Sequence, residues 1–417
     1  MLYTGRKREV YQRAVDSLMI KGLTPRDAFL KCFVKAEKIN FTAKPDPAPR
    51  VIQPRDPRFN AMLGRFIKVM EHYLYQAIDR VYRCASRLKT VTKGMNAGQV
   101  GQLIAQKWAV FKRPVAIILD AKRFDQHVRK EMLQWEHKVY LDATSGDKAE
   151  LAWLLNMQIE NQAFGYVADG KLKYKVSGNR MSGDMNTASG NVVLMCAMMY
   201  EYMIHLGVSK YELVNNGDDS VLIVEGEEAD RTIAEFEPFF IPLGFEMDIQ
   251  GRTSVFEKIK FCQCSPVRTP EGVVMVRSME SLAKDCVSIK PLETEKVYRR
   301  WLKSIGECGL SLAGGIPVVG AFYKLMLRSG RGQVLTDPSM ECGMQIMARG
   351  MDRAEQTVHW TTRVSFYYAF GVLPDEQIAV EGEYDRMELP YDNVTDPSHP
   401  CEAAYNARCL PPWILNH

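Results

Sequence analysis

No apolar run in this sequence approaches the ~20 uncharged residues needed to cross a bilayer. The longest, Val192 to Met199, soon meets Glu201, so no membrane-spanning helix is expected. No secretory leader is expected either, because Gly5-Arg6-Lys7-Arg8 gives way to mixed polar residues. Cysteine is scattered: of ten, only Cys262 and Cys264 stand close, with no Cys-x2-Cys pair or His cluster beside them. Reduced buried thiols in a cytosolic setting are expected, rather than disulfides or a zinc site. There are no internal repeats and no low-complexity linker. Acidic residues are scarce at the start. Residues 1–113 hold 8 Asp and Glu against 23 Lys and Arg, whereas the remainder holds 42 against 31. Such a basic first quarter is an electrostatic footprint for phosphates, with a solvated basic surface as the plain alternative.

What is present suffices for a large core. The chain has 417 residues, 46% of them hydrophobic, enough for two or three domains. Prolines make Lys44 to Pro57 extended. Arg58 to Tyr82 has helical periodicity, with Leu63, Phe66, Ile67, Met70, Leu74 and Ile78 on one side. Lys93 to Trp108 reads as a helix entered through a Gly-rich turn. Glu131 to Ala163 is expected to be helical, then Phe164 to Val176 a hairpin around Asp169-Gly170. Glu228 to Phe239 reads as helix, Phe256 to Cys262 and Val273 to Val276 as strands. From Cys286 onward the pattern is mostly helical, and the Pro-rich end from Leu389 is irregular. Strands and helices alternate irregularly, which predicts an α+β fold.

Two acidic clusters stand at the ends of apolar runs. Val115 to Leu119 runs into Asp120, with Asp125 shortly after. Tyr211 to Val214 and Val221 to Val224 flank Asn215-Asn216-Gly217-Asp218-Asp219, the signal for a tight hairpin. Gly217 can take positive φ there. Taken alone, the second cluster reads rather as an ordinary exposed turn, and the first is no more specific. Jointly they offer carboxylates from separate strands, which two-metal phosphoryl transfer requires. Between them lies Ser177 to Asn191, a loop rich in Gly and hydroxyls that feeds a buried helix from Val192. Thr187 and Asn191, four residues apart, share one helix face. That face is either a capped helix start or a set of small polar groups able to bond a sugar hydroxyl.

The order Asp-x4-Asp, Ser-Gly-x3-Thr-x3-Asn, Gly-Asp-Asp resembles that of palm-domain RNA-dependent RNA polymerases of positive-strand RNA viruses. Phe33-Val34-Lys35-Ala36-Glu37-Lys38 and Asp46 to Arg55 resemble the nucleotide-gripping motif of the tombusvirus group. Arg123-Phe124-Asp125-Gln126-His127 and Phe261-Cys262-Gln263-Cys264 are similar to that group too. The resemblance runs from about Tyr3 to Arg277 and more weakly beyond. It implies a right hand of fingers, palm and thumb, with an antiparallel palm sheet carrying the catalytic Asp residues. Fingers would cover 1–113, a first palm strand 114–127, a fingers insertion 128–176, palm 177–284, and thumb with tail 285–417.

The resemblance further implies residue roles. Asp120 and Asp218 would ligate Mg²⁺ (or Mn²⁺), with Asp219 a weaker or indirect ligand. Asp125 and Asn191 would read the ribose 2′-OH, with Thr187 supporting Asn191. Ser182 and Gly183 would form a mobile loop touching template and nucleotide. Lys35, Lys38 and Arg50 would contact the triphosphate. Prolines around Arg50 favour a stiff presentation, whereas Lys35 and Lys38 read equally as solvated charges. His127 reads as packed or hydrogen-bonded. The Lys that related polymerases place after a Gly-aromatic step is replaced by Asp248 after Gly244-Phe245. The acid for pyrophosphate stays open among Arg252, Lys258 and Lys260. Phe261 to Cys264 would be a hairpin gripping the primer.

Expected partners are RNA template and nascent RNA, ribonucleoside triphosphates and a viral auxiliary replication protein. Related polymerases are commonly the readthrough part of a longer replicase, so the chain is expected to be one portion of such a protein. Its expected place is the host cytoplasm, at replication complexes whose membrane contact comes from another part or partner. Two rivals stand beside this reading. A reverse transcriptase would show an aromatic before its paired Asp and a bulky residue excluding the 2′-OH. A non-catalytic RNA-binding subunit would not need intact Asp120, Asp218 and Asp219.

Overall fold

The computed structural model describes residues 3, 5–38, 48–82, 86–167, 169–288, 292–335 and 344–391. In chain order the elements begin with α1 (Gly5–Ile20), β1 (Leu30–Val34), β2 (Val51–Ile52), α2 (Pro57–Val81) and α3 (Ala97–Trp108). β3 (Pro114–Ala121) leads through α4 (Phe124–His127) to α5 (Lys130–Ala143) and α6 (Lys148–Asn156). Then come the hairpin β4 (Glu160–Val167) and β5 (Gly170–Ser177), helix α7 (Thr187–Leu206), and the hairpin β6 (Tyr211–Asn216) and β7 (Asp219–Glu225). Helices α8 (Gly226–Ala234) and α9 (Phe236–Leu243) precede β8 (Met247–Thr253), β9 (Cys264–Thr269) and β10 (Gly272–Arg277). The rest is helical: α10 (Met279–Asp285), α11 (Glu295–Ala313), α12 (Val319–Ser329), α13 (Met344–Ala348), α14 (Trp360–Phe370) and α15 (Pro374–Arg386).

The chain divides into two compact units. The first comprises Met1–Lys35, Pro49–Val91 and Ile117–Arg252. Its helix α2 starts where Asp56 accepts from the Arg58 backbone N–H and Pro57 opens the first turn, a cap that suits proline because that N–H is orphaned anyway. Of the predicted stripe, Leu63, Phe66, Ile67, Met70 and Leu74 are buried and pack with Tyr140, Leu151, Leu154 and Leu155 of α5 and α6, while Ile78 is half-buried. Each such side chain contributes about 1.5–3 kcal/mol by leaving water. Helix α7 is apolar nearly all round, as a core helix must be, and Gly207 at φ +66° ends it in a left-handed cap.

Two sheets belong to this unit. One has the order β2-β1-β4-β5, with β1 antiparallel to β2, parallel to β4, and β4 antiparallel to β5. The other runs β6-β7-β3-β8. β6 and β7 pair antiparallel, ending at Asn216↔Asp219.

The second unit comprises Ala36–Ala48, Thr92–Ala116 and Thr253–His417. The β9–β10 hairpin carries α3 so closely that a Cβ on Gly101 would lie 2.6 Å from the Val273 carbonyl oxygen. Trp301, Ile305, Phe322, Tyr323, Phe366 and Tyr384 build the core of its helices.

Three expectations are corrected. The helix expected over Glu131–Ala163 is two helices, and Glu160–Ala163 belongs to β4 because its backbone pairs with Tyr174–Ser177. The helix expected over Glu228–Phe239 is likewise two, α8 and α9, which meet at Glu235. Phe256–Cys262 is no strand: Phe256–Lys258 is a 3-10 turn, and the strand is β9, whose partner β10 sets its bounds. The extended reading of Lys44 to Pro57 holds for its described part, where β2 lies and helix begins only at Pro57. Residues 39–47, including Asp46 and Pro47, and the tail from 392 lie outside the described residues.

Candidate active site

Asp120 is the penultimate residue of β3. Val115 to Leu119 before it are buried, and Asp120 itself is half-buried. β7 is the neighbouring strand and begins at Asp219. Gly217, at φ +92°, makes the tight turn that places Asp218 at the hairpin tip. The turn is clamped by Asn215, which is fully buried. Its Nδ2 donates to the Gly217 carbonyl (2.7 Å) and to Ser220 Oγ (2.9 Å), and its Oδ1 accepts from the Gly217 N–H (3.0 Å). Asp218 and Asp219 are therefore held exposed on a rigid tip.

The two clusters feel each other's charge. Burial raises the Asp120 pKa above the ordinary carboxylate value, and the negative charges of Asp218 and then Asp248 raise it further. The Ala121 backbone and Gln250 act in the other direction. Gln250 Nε2 donates to Asp120 Oδ2 at 2.8 Å. Both Asp248 and Gln250 lie on β8, the strand on the other side of β3.

Among the described residues, no three His, Cys, Asp or Glu side chains form a ready metal cage. The donor chemistry nevertheless suits a hard divalent cation. Mg²⁺ is usually held by one or two carboxylates with water and substrate phosphates. Asp120 on β3 and Asp218 at the β6–β7 tip supply two repelling carboxylates, and a cation would relieve that repulsion.

Asp125 and Asn191 meet as expected. Asn191, on the first turns of α7, donates from Nδ2 to Asp125 Oδ1 at 2.9 Å. Burial raises the Asp125 pKa, against the Asn191 bond and the Arg180 charge. Behind the pair stands a network that sequence reasoning missed. Arg180 Nε donates to Asn191 Oδ1 at 3.1 Å, and its guanidinium forms a buried ion pair with Glu136 of α5. Burial alone would lower the Arg180 pKa, but the Glu136 carboxylate outweighs it. Asn186 Nδ2 donates to Glu136 Oε1 (2.9 Å), and Gln158 Nε2 donates to Asn186 Oδ1 (2.9 Å). A Cβ at Gly190 would collide with both Arg180 and Glu136. Arg180 lay within the polar stretch already singled out. Glu136, one carboxylate in an ordinary helix, carried no signal.

The Ser182–Gly183 loop is held against β2 and the residues after it. Ser182 Oγ donates to the Val51 carbonyl at 3.2 Å, and a Cβ on Gly183 would lie 2.5 Å from Pro54 Cα. Arg55, buried, donates from Nε to Asp184 Oδ1 (2.6 Å) and from Nη2 to Asn161 Oδ1 (2.7 Å). Thr187 Oγ1 donates to the carbonyls of Met181 (2.8 Å) and Asp184 (3.0 Å), so its hydroxyl closes this loop rather than touching Asn191. Just beyond the β1–β2 pairs, the Lys35 N–H donates to the Arg50 carbonyl at 2.9 Å, and both side chains are exposed. Lys38 belongs to the second unit.

Of the candidate acids, Arg252 is paired with Asp230, while Lys258 and Lys260 lie in the second unit. His127 Nδ1 sits 2.9 Å from the Lys122 carbonyl, hydrogen-bonded as expected. Phe261 to Cys264 form a two-residue turn, with Cys262 and Gln263 both at positive φ and reciprocal backbone bonds of 2.9 and 3.0 Å. That is the hairpin geometry of a type I′ turn.

Comparison with known proteins adds an independent line. Residues 1–392 match the family model described as viral RNA dependent RNA polymerase. The RNA-directed RNA polymerase of melon necrotic spot virus is 45% identical over 94% of this chain and 49% of that protein. The one from tobacco necrosis virus (strain A) is 44% identical, covering 94% and 54%. The one from turnip crinkle virus is 43% identical, covering 99% and 52%. The chain thus spans about half the length of these curated relatives. Among the described residues, no helix is long and apolar enough to cross a membrane.

Proposed function

The chain belongs to the viral RNA-dependent RNA polymerase family, and from that premise we propose that it copies RNA from an RNA template of a positive-strand virus, using ribonucleoside triphosphates. The observation that carries this reading is the sheet order, which sets Asp120 near the end of β3 beside the β6–β7 hairpin whose tip holds Asp218; the Asp120 pKa is raised first by burial and next by the Asp218 charge. In this reading Asp120 and Asp218 hold Mg²⁺ (or Mn²⁺), with Asp219 a weaker or indirect ligand. When bound, such ions would acidify the primer 3′-hydroxyl and neutralise the leaving pyrophosphate. Asn215 keeps the hairpin tip rigid, so the carboxylates need no reorganisation to receive the cation.

Asp125 accepts from the ribose 2′-OH, and Asn191 fixes that carboxylate. Arg50, with Lys35, meets the triphosphate, where charge-assisted bonds are strong and Arg can be bidentate. Ser182 and Gly183 lie beside template and nucleotide. Fingers are assigned to 1–113 and 128–176, palm to 114–127 and 177–284, and thumb with tail to 285–417. An auxiliary viral protein and a membrane reached through another part of the replicase complete the proposed setting in host cytoplasm.

A reverse transcriptase reading is disfavoured by the hydrogen-bonded Asp125–Asn191 pair, which suits a 2′-OH. The test is primer-free incorporation on a short RNA template, with ribo- or deoxyribonucleoside triphosphates and Mg²⁺. RNA synthesis that prefers ribonucleotides and disappears in Asp218→Asn is the expected result. No incorporation under any divalent ion would favour a non-catalytic RNA-binding subunit.

A further inference from the structure

We infer that the exposed face of the β2-β1-β4-β5 sheet is a platform for single-stranded RNA. Side chains alternate between the faces of a strand, and the register shows which share a face. Lys31 of β1 stands beside Phe164 of β4. Phe164 in turn faces Lys173, while Tyr166 faces Lys171 and Gln162 faces Lys175. Phe33 follows Lys31 on the same face, paired with Ile52. The opposite face carries Leu30 and Ala163, buried on Met181 with Tyr174 and Val176 packed beside them. Beside that core the lysines and rings are on the outward side, and toward the β4–β5 turn both faces open to solvent, with Val167 and Leu172 exposed on the other one.

Three observations separate this face from an ordinary solvated sheet. Tyr166 is 78% exposed and Phe33 54%, an apolar cost that solubility does not require. Lys171 Nζ lies 4.9 Å from the Phe164 ring centroid and 5.2 Å from that of Tyr166, so charge and π-surface coincide. Two of the acids nearby are engaged, Glu160 by Lys130 and Ser177, and Asp56 by Lys31, while Asp169 stands exposed in the β4–β5 turn. Among the described residues, Lys173 and Lys175 enter no ion pair. Lys171, Lys173 and Lys175 recur about every 7 Å along β5, a row suited to a phosphate backbone.

Exposed rings beside that row offer stacking surfaces, which only unpaired bases can use. A single strand is therefore the fitting ligand, and a duplex is not. That the bound strand is the template rests on the polymerase reading above; the binding itself does not.

The test measures fluorescence anisotropy of a short labelled oligouridylate with the full chain, without nucleotides or Mg²⁺, across a salt series. Replacing Lys171, Lys173 and Lys175 together by Ala should lower the slope of log K against log salt by about 2, since each single-strand phosphate contact contributes about 0.7. Tyr166→Ala should weaken binding about tenfold with the slope unchanged. Lys173→Arg combined with Lys175→Arg should retain binding. Wild-type affinity and slope in both Ala variants would overturn the platform. Equal losses on a blunt RNA duplex would overturn it as well, leaving only a basic surface. Circular dichroism confirms folding, and Tyr166→Ala alone decides if the triple variant does not fold. Failure of the polymerase reading is a separate outcome: no incorporation by the wild type while these binding differences persist.

Discussion

Arg180 gives its Nε hydrogen to the amide oxygen of Asn191 and thereby turns the Asn191 NH₂ toward Asp125. Arginine has no acceptor, so Asn191 can meet it only with oxygen. The amide cannot flip without losing both bonds. In the proposed function the other Asp125 carboxylate oxygen is the one that takes the ligand hydroxyl. The buried ion pair with Glu136 holds Arg180 in turn.

From this follows a prediction on sugar choice. Asn191→Ala should reduce kcat/KM for ATP more than for dATP on one template. Selectivity at a site built to bond a hydroxyl comes from the polar group left unpaired when that hydroxyl is missing. Both values falling with an unchanged ratio would make Asn191 a purely structural helix residue.

Asp218→Asn should abolish RNA synthesis while fold and RNA binding stay close to wild type. The substitution removes charge and keeps shape. Asp219→Asn should be milder and partly rescued by Mn²⁺. Near-normal incorporation by Asp218→Asn in Mg²⁺ would remove Asp218 from the metal site.

For Arg50→Ala, the apparent KM of all four nucleotides should rise together. A triphosphate contact is blind to the base, and losing a hydrogen bond to a charged group costs about 1.5–3 kcal/mol. An effect on one nucleotide alone, or a collapse of RNA binding alone, would contradict the role.

Asp120 links stability to pH. Its folded carboxyl holds the proton above the ordinary value because of burial, Asp218 and Asp248. The native state then binds more protons than the unfolded one, so stability falls as pH rises from the unfolded value of about 3.9 through the folded one. Without divalent ions, Asp120→Asn should melt higher than wild type at neutral pH, and the gap should close on acidification. Mg²⁺ should raise the wild-type midpoint more than that of the variant. A lower melting midpoint for Asp120→Asn at neutral pH, without ions, would refute the repulsion.

Much of the scaffold was legible from local pattern. The apolar run into Asp120, the Gly217 hairpin, the stripe of α2 and the long core helix α7 each follow from periodicity or turn chemistry acting within a few residues. The pairing of Asp125 with Asn191 was implied by the family resemblance and not by any local pattern. What no local pattern could decide was partnership across the chain. Glu136 meets Arg180 44 positions away, and Arg55 meets Asp184 129 positions away. Each is an unremarkable charge until burial makes an unpaired one costly and selects its partner. The boundary at Glu160 has another cause. The β4–β5 hairpin runs further than its turn signal shows, pairing Glu160 with Ser177, and β1, from far earlier in the chain, pairs with Ala163 on the other edge of β4. Sequence thus determined which groups stand at strand ends and helix starts, and tertiary structure decided which of them are held, by what, and facing whom.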